Sequence, residues 1–243
     1  MTAPTRTRPT NSADELGPGT NVGAVVDIEL IRGTELFAAL DDGALNRVAS
    51  SATSRDLRRG DVVFTEGAEP EHLYVVEDGR IAIASKSDDG RESVFALMER
   101  GELFGEMGLL DGLGRSAEAR ALEPSQILEI PYGPVREVFE AQPVLLWGVV
   151  ALLAGRLRSM DAALADSVFL DVTGRTAKRL LELAGEEDEF VLPITQEELA
   201  GMVGASRERV NKAIASFVRL GWIDQSDRRY QILDREQITR RAR

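Results

Sequence analysis

The sequence of 243 residues contains no cysteine and only one histidine, His72. Without thiols the chain forms no disulfide, no iron–sulfur cluster and no thiolate zinc site. A single histidine cannot build a histidine-rich metal site, so we predict no metal. His72 ends the turn-like stretch 67–72, where we expect a solvated loop residue rather than an axial haem ligand.

Long apolar stretches are also scarce. No run of about 18 apolar residues occurs, so we expect no membrane span. Residues 1–12 lack the apolar centre of a secretory signal. We therefore expect a cytoplasmic protein.

Acidic residues outnumber basic ones by 41 to 29, which gives a net charge of −12. This balance argues against a general nucleic-acid coat protein or a ligand of anionic membranes. Residues 1–170 carry the whole excess, whereas residues 206–243 carry a net charge of +5. A small basic surface near the C-terminus is typical of contacts with nucleic-acid phosphates.

Composition and periodicity change along the chain. Residues 1–27, rich in Thr, Pro, Gly and Asn, predict a flexible tail because they bury little apolar surface. In residues 28–142, short helices precede short β-rich runs separated by glycines, as in a β-sandwich, barrel or jelly roll. Hairpin turns are predicted at Asp78-Gly79 and Asp89-Gly90.

Residues 143–170 have a helical period. Apolar side chains follow one another at spacings of four and three: Leu146, Val150, Leu153, Leu157, Met160 and Leu164. Such a narrow a/d seam predicts that the helix, residues 143–168, pairs with a second copy of itself. The alternative is a helix packed on its own β-domain.

Residues 171–243 predict a second domain with a helix-turn-helix. Thr195 and Glu198 form a capping box at the start of one helix, Gly204 allows the turn, and Ser206 caps the next helix. Two β-rich segments, 221–223 and 229–233, then predict the paired strands of a wing.

The first turns of the second helix could enter the DNA major groove. Arg207 can bind guanine, Glu208 can accept from cytosine, and Lys212 lies on the same face. The alternative is an ordinary solvated i,i+4 salt bridge between Glu208 and Lys212. The full predicted DNA-binding set is Thr195, Ser206, Arg207, Glu208, Arg209 and Lys212.

A second candidate site lies in residues 104–117. Four glycines between positions 105 and 114 let backbone amides approach an anion closely. Arg115 adds a forked cation suited to phosphate, and Ser116 adds a hydroxyl. Glu106 suits a sugar hydroxyl, so the set indicates a nucleotide. A purely structural glycine turn is the alternative.

Three stretches in this order, joined by a long helix, resemble the CRP/FNR (cyclic-AMP receptor protein) family of bacterial transcription regulators over roughly residues 30–235. They are Phe104-Gly105-Glu106-Met107-Gly108 with Arg115-Ser116, Phe169-Leu170-Asp171-Val172-Thr173-Gly174-Arg175, and Thr195-Gln196-Glu197-Glu198 through Lys212. The resemblance implies an α+β protein with a cyclic-nucleotide-binding β-roll (jelly roll), a dimerisation helix and a winged helix-turn-helix. It also implies a homodimer on palindromic double-stranded DNA, with RNA polymerase as a partner.

The resemblance assigns the nucleotide contacts by position. Glu106, which follows Gly105, would hold the ribose 2′-hydroxyl, and Arg115 and Ser116 would hold the cyclic phosphate. The other matching positions are Arg156, which pairs with that glutamate in the family, and Ile83, Phe95 and Ala96 around the base.

One departure concerns the base. Where cyclic-AMP receptors offer adenine a Thr and then a Ser or Asn from the partner subunit, this chain has Met160 and Asp161. Met160 donates no hydrogen bond, whereas Asp161 could accept one from adenine or from guanine. We expect a cyclic nucleotide, cAMP first, with cGMP, a cyclic dinucleotide or ligand independence as alternatives.

A cyclic-nucleotide-gated enzyme or signalling adaptor is the rival class. Residues 171–243 leave room only for the winged helix and contain no His or Cys for a nucleophile–base pair. We therefore predict that the chain is not an enzyme.

Overall fold

The computed structural model describes residues 20–21, 26–86 and 92–243. The N-terminal elements are β1 (Thr20–Asn21), α1 (Ile28–Arg32), α2 (Asp42–Ser51), β2 (Thr53–Leu57), β3 (Val62–Phe64), β4 (His72–Asp78), β5 (Ile81–Lys86), β6 (Glu92–Met98), β7 (Leu103–Phe104), α3 (Met107–Asp111), β8 (Glu118–Ala121), β9 (Ser125–Pro131) and α4 (Tyr132–Ala141). A 3₁₀ turn, Pro143–Leu145, then leads into the long helix α5 (Leu146–Phe169). The C-terminal elements are α6 (Val172–Ala184), β10 (Glu189–Val191), α7 (Gln196–Val203), α8 (Arg207–Arg219), β11 (Ile223–Ser226), β12 (Arg229–Ile232) and α9 (Arg235–Arg241).

Two antiparallel sheets form the β-roll. Their strand orders are β1-β2-β9-β4-β7 and β3-β8-β5-β6. Because side chains alternate along a strand, Tyr74 and Val76 of β4 point between the sheets, whereas Leu73 and Val75 point to the helices α1, α2 and α4. The roll therefore has one core between its sheets and another beneath its helices.

Helix α5 packs on the β-roll with only part of its surface. Val149 and Leu152 are buried in the core beneath the helices. The a/d seam faces away from it, with its six side chains between 41% and 69% exposed. The fold of one chain thus leaves the predicted pairing face uncovered.

By length and composition, one helix of the described chain, Pro143–Phe169, could cross a membrane. Such a helix is weak evidence, because the test ignores what the helix packs against. Here Arg156 pairs with a buried carboxylate of the β-roll, and Arg158, Asp161 and Asp166 lie on the same helix. These features fit a helix that packs on protein.

The C-terminal domain is a winged helix-turn-helix. Asp171 caps α6, the Thr195–Glu198 capping box opens α7, and Ser206 caps α8. Gly204 joins α7 to α8 at φ +66°, a conformation that favours glycine. The predicted wing strands are β11 and β12, and β10 extends them into a sheet of order β10-β12-β11.

The architecture confirms the predicted α+β class and the strands β3, β4, β5, β6 and β9. Gly79 makes the predicted turn between β4 and β5 at φ +80°. The turn Asp89-Gly90 lies outside the described residues, as does most of the predicted tail. The pattern missed β2, β7 and β8, whose apolar runs are short or interrupted by charges.

One expectation was wrong. His72, placed in a turn, is the half-buried first residue of β4 and pairs with Pro131. Backbone pairing with a distant strand decided this, and periodicity does not report such pairing.

Within the predicted tail, Thr20 pairs with Arg55 and Asn21 pairs with Ser54 at the edge of the first sheet. The flexibility of residues 1–27 stays a prediction.

Candidate functional sites

The glycine-rich loop begins where β7 ends. Gly105 has φ +79°, and a Cβ there would lie 2.8 Å from an Arg115 nitrogen and 3.1 Å from the Tyr74 ring. A Cβ on Gly108 would lie 2.5 Å from Pro70. Larger residues would therefore collide with their neighbours, so glycine is required at both positions.

Glu106 is fully buried at the start of α3. Its Oε1 lies 2.7 Å from Nη1 of Arg156, whose Nη2 also donates to the carbonyl oxygen of Leu103 at 2.8 Å. Neither oxygen of this carboxylate accepts a hydrogen bond from a described residue, so the contact with Arg156 is an ion pair only. Burial raises the pKa of Glu106, while the positive charge of Arg156 opposes the shift. A buried carboxylate oxygen is thus left to accept a donor.

Arg115 is also buried, and its guanidinium is bonded to the protein. Nη1 donates to the carbonyl oxygen of Gly105 at 2.7 Å and to the hydroxyl of Tyr132 at 3.0 Å. Nη2 donates to the carbonyl oxygen of His72 at 2.7 Å. The guanidinium carbon lies 4.1 Å from the centre of the Phe64 ring. A bound phosphate must therefore compete with these acceptors, which the sequence did not indicate.

Arg115 also lines an open cleft of about 410 Å³ between β3, the 65–72 loop and β4. The aromatic residues Phe64, Tyr74 and Tyr132 surround its guanidinium at 4.1 to 5.9 Å. Sequence reasoning missed all three. The β-rich run around Tyr74 was a signal for a strand and not for a ligand site.

The other predicted ligand positions are less buried. Ser116 is exposed, with its hydroxyl 3.8 Å from the sulfur of Met107. Ile83 pairs with Ala96 across β5 and β6, and the register then shifts, which leaves Phe95 as an extra residue that is 63% exposed. A β-bulge of this kind turns a side chain outward.

The base end of the predicted site lies on α5. Met160 and Asp161 are both exposed, about one turn beyond Arg156. The structure therefore brings together Gly105, Glu106 and Arg115 with Arg156, and it leaves Met160 and Asp161 on the uncovered side of the helix. No three histidine, aspartate or glutamate side chains of the described chain are grouped so that they could hold a metal ion.

Helix α8 has one apolar and one polar face. Val210, Ala213, Ile214 and Phe217 are buried at helical spacing. Arg207, Glu208, Arg209 and Lys212 are exposed. The polar face of the helix is therefore accessible in one continuous stretch.

The structure contains the i,i+4 salt bridge between Glu208 and Lys212 that the sequence analysis gave as the alternative to base contacts. Nζ of Lys212 lies 2.7 Å from Oε1 of Glu208, and this hydrogen bond lowers the pKa of Glu208. Because both side chains are about three-quarters exposed, the pair can open at little cost. Arg207 and Arg209 form no ion pair with a described side chain. Their charges are available for phosphates or bases.

Several other C-terminal cations are paired. Arg229 lies 2.8 Å from Glu189, and Arg240 lies 2.7 Å from Glu236. Arg241 contacts Asp171 in residues 169–171, which join α5 to α6 and for which we expect a hinge. These contacts neutralise part of the +5 charge of residues 206–243. Arg207 and Arg209 in the first turn of α8 thus remain without an ion pair in the described chain, as do Arg219, Arg228 and Arg243.

Comparison with known proteins matches both domains to known families. Two family models match: the cyclic nucleotide-binding domain over residues 54–142 and the Crp-like helix-turn-helix domain over residues 174–241. The CRP-like cAMP-activated global transcriptional regulator of Mycobacterium tuberculosis is 34% identical over 222 residues, which cover 88% of this chain and 99% of the relative. The cAMP-activated global transcriptional regulator Vfr of Pseudomonas aeruginosa is 31% identical over 189 residues, or 74% of this chain and 88% of the relative.

Among solved structures, the c-di-GMP-responsive global regulator CLP of Xanthomonas campestris matches with a TM-score of 0.69 at 26% identity. The match covers 79% of this chain and 99% of that one. The fold and the two sites thus define a transcription regulator with a cyclic nucleotide-binding domain and a DNA-binding helix-turn-helix. The chain belongs to the CRP/FNR family. Its relatives are regulators, which confirms the prediction that it is not an enzyme.

The pH dependence of stability tests the buried charge of Glu106. Because burial raises the folded-state pKa of Glu106 above its usual 4.5, its stabilising effect is full below about pH 4.5 and is lost as the pH rises through the folded pKa. The Glu106→Gln variant stays neutral. We expect the melting temperature of the wild type to fall relative to this variant as the pH rises above about 4.5.

The matched control is Glu140→Gln, which removes an exposed carboxylate from α4. Its melting temperature should follow that of the wild type across the same range. A constant difference between the wild type and Glu106→Gln at every pH would contradict the assigned shift.

Proposed function

We propose that a cyclic nucleotide, cAMP first, binds the loop 105–116 and controls a homodimeric, sequence-specific DNA-binding regulator. The observation that carries this proposal is the buried carboxylate of Glu106, which forms an ion pair with Arg156 while neither of its oxygens accepts a hydrogen bond from a described residue. A buried acceptor of this kind is costly unless a donor reaches it. The 2′-hydroxyl of a ribose is such a donor.

The phosphate contacts follow from the residues beside Glu106. Ser116 offers an exposed hydroxyl, and Arg115 would exchange its carbonyl and Tyr132 partners for phosphate oxygens. Charge-assisted bonds to phosphate are stronger than bonds to neutral oxygens, which favours this exchange. The two relatives named as cAMP-activated regulators support cAMP as the first candidate.

Base recognition involves the dimer partner in this proposal. Met160 lies in the exposed seam, and Asp161 lies beside it on α5. The carboxylate of Asp161 accepts hydrogen bonds only, so it suits the adenine amino group. The N–H donors of a guanine edge suit it as well, so the test compares both bases.

Calorimetry of the full chain with cAMP, cGMP and cyclic di-GMP tests the ligand. We expect cAMP to bind most tightly, and Arg115→Leu to weaken that binding by about tenfold or more, because it removes bonds to a charged phosphate. The control Arg136→Leu removes an exposed arginine from α4 and should leave affinity unchanged.

Tight cAMP binding by Arg115→Leu would contradict the assigned site. Preference for a guanine nucleotide would replace cAMP as the effector. Absence of binding by all three nucleotides would indicate ligand independence.

Homodimerisation is proposed from the uncovered face of α5. The seam from Leu146 to Leu164 runs for nearly three heptads, and its side chains are between 41% and 69% exposed in the single chain. A second copy of the same helix would bury this apolar stripe by knobs-into-holes packing. Met160 and Asp161 would then lie at the interface.

A charge at the centre of the seam tests the dimer. Leu157→Glu would bury a carboxylate in the interface, so we expect a monomer by light scattering at concentrations where the wild type is a dimer. The control Ala162→Glu adds the same charge about 140° around the helix from Leu157, on an exposed position. A dimeric Leu157→Glu variant would exclude pairing through this seam.

DNA readout is proposed for the first turns of α8. In a homodimer, two copies of α8 spaced by about one DNA turn, roughly 34 Å, would read palindromic half-sites. Arg207 and Glu208 would contact bases, with Lys212 beside them. Thr195, Ser206 and Arg209 lie at the starts of α7 and α8, where backbone phosphates approach. In the cytoplasm, RNA polymerase would be the partner at promoters.

Selection from a random DNA pool tests this readout. Arg207→Ala should relax preference at one base pair and weaken binding to the best site by about 1–3 kcal/mol. Arg219→Ala, which removes an exposed arginine from the end of α8, is the control and should keep the selected sequence. Selection of an unchanged site by Arg207→Ala would refute the base contact.

A further inference from the structure

The DNA-binding domain packs directly on the outer face of the β-roll. Ala82 and Ala84 of β5, Val94 of β6 and Leu122 belong to the same buried cluster as the core of the C-terminal domain. Helix α7 contacts β6 in this interface. Since alternate residues of β5 point outward, small alanines there let a helix approach the sheet closely.

Charged side chains flank this apolar contact. Oε1 of Glu198 lies 3.6 Å from Nη2 of Arg120, and its Oε2 lies 3.8 Å from Nη2 of Arg59. Glu198 is 13% exposed, Arg120 is 17% exposed and Arg59 is 42% exposed. Because the carboxylate lies between two arginines and is mostly shielded from water, this cluster is stronger than an isolated surface pair.

Arg120 connects this charge cluster to further ion pairs of the β-roll. Arg120 lies on β8 and also contacts Glu118, which lies 3.3 Å from Lys86 on β5. Strand β8 follows Ser116 of the candidate nucleotide loop by one residue. Glu198 therefore contacts β8, the strand that follows the candidate nucleotide-binding loop in the chain.

Glu198 also fixes the start of the helix-turn-helix. Its Oε2 accepts from the backbone nitrogen of Thr195 at 2.6 Å, which completes the capping box of α7. Because α7 and α8 join through the tight turn at Gly204, holding the start of α7 also sets the direction of α8. In this arrangement the polar face of α8 is exposed.

We propose that Glu198, Arg59 and Arg120 form an interdomain clamp that positions the DNA-reading helix. The clamp residues act through the placement of α7 and touch no base. The inference rests on the proposed DNA readout by α8. Loss of the clamp frees the domain to rotate about the hinge at residues 169–171, so that fewer molecules present α8 correctly.

Glu198→Gln is the sharpest test. Glutamine keeps the capping box, because its side-chain oxygen also accepts from Thr195, but it removes the charge between the arginines. We expect affinity for the selected DNA site to fall about fivefold, with nucleotide affinity of the free protein unchanged. Arg120→Gln should behave similarly, whereas Arg120→Lys should retain most of the affinity.

A double-mutant cycle separates positioning from direct DNA contact by Arg59. If Arg59 acts through Glu198, Arg59→Gln lowers affinity alone but adds little to Glu198→Gln. If Arg59 instead binds phosphate, the two effects add and the salt slope of binding falls by about one, which would overturn the clamp. Arg58→Gln removes the same charge from the next residue, whose side chain is exposed and forms no ion pair in the described chain; it should match the wild type.

Hydrogen exchange provides a readout without DNA. We expect amides of α7 and β6 to exchange faster in Glu198→Gln than in the wild type, while those of α2 and β9 stay unchanged. This result holds even if the wild type selects no DNA, so failure of the proposed function is distinguishable from failure of the clamp. Unchanged exchange, or tighter DNA binding by Glu198→Gln, would refute the clamp.

Discussion

The ion pair between the buried Glu106 and the partly exposed Arg156 joins the glycine-rich loop to the long helix. Removing Arg156 would leave the carboxylate of Glu106 buried without its cation, which is unfavourable. The pair therefore fixes where α5 lies on the β-roll. The same placement leaves the apolar seam of α5 facing outward and sets the start of the hinge that carries the DNA-binding domain.

The guanidinium of Arg115 already has hydrogen-bond acceptors within the protein, and a bound phosphate would compete with them. The guanidinium lies among aromatic rings and is bonded to two carbonyl oxygens and to the hydroxyl of Tyr132. These bonds satisfy most of the hydrogen-bond donors of Arg115, and burying this cation without them would cost free energy. A phosphate gains affinity only by the difference between its bonds and those it displaces, so the resting contacts of Arg115 set part of the effector affinity.

The net charge of the whole chain does not show that its acidic and basic residues are distributed unevenly between the two domains. The excess of −12 lies in residues 1–170, whereas the C-terminal domain exposes cations without an ion pair, among them Arg207 and Arg209 at the start of α8. The acidic residues 1–170 repel the DNA duplex. DNA binding therefore depends on correct presentation of the small basic surface at the start of α8. The contacts between Glu198 and the arginines of the β-roll influence that presentation because they hold the start of α7.

The sequence by itself determined the local features of this protein: the capping box at Thr195, the turn at Gly204, the seam of α5 and the glycine loop before Arg115. Each depends on residues a few positions apart, so composition and spacing are enough to reveal it. Only the tertiary structure decided the partners of Arg115, because Tyr132 and His72 are 17 and 43 residues away. Antiparallel pairing of β4 with β9 brings His72 beside Pro131, and this places both acceptors at the guanidinium. The sequence also could not predict that α7 packs on the β-roll, because this contact depends on the relative position of the two domains.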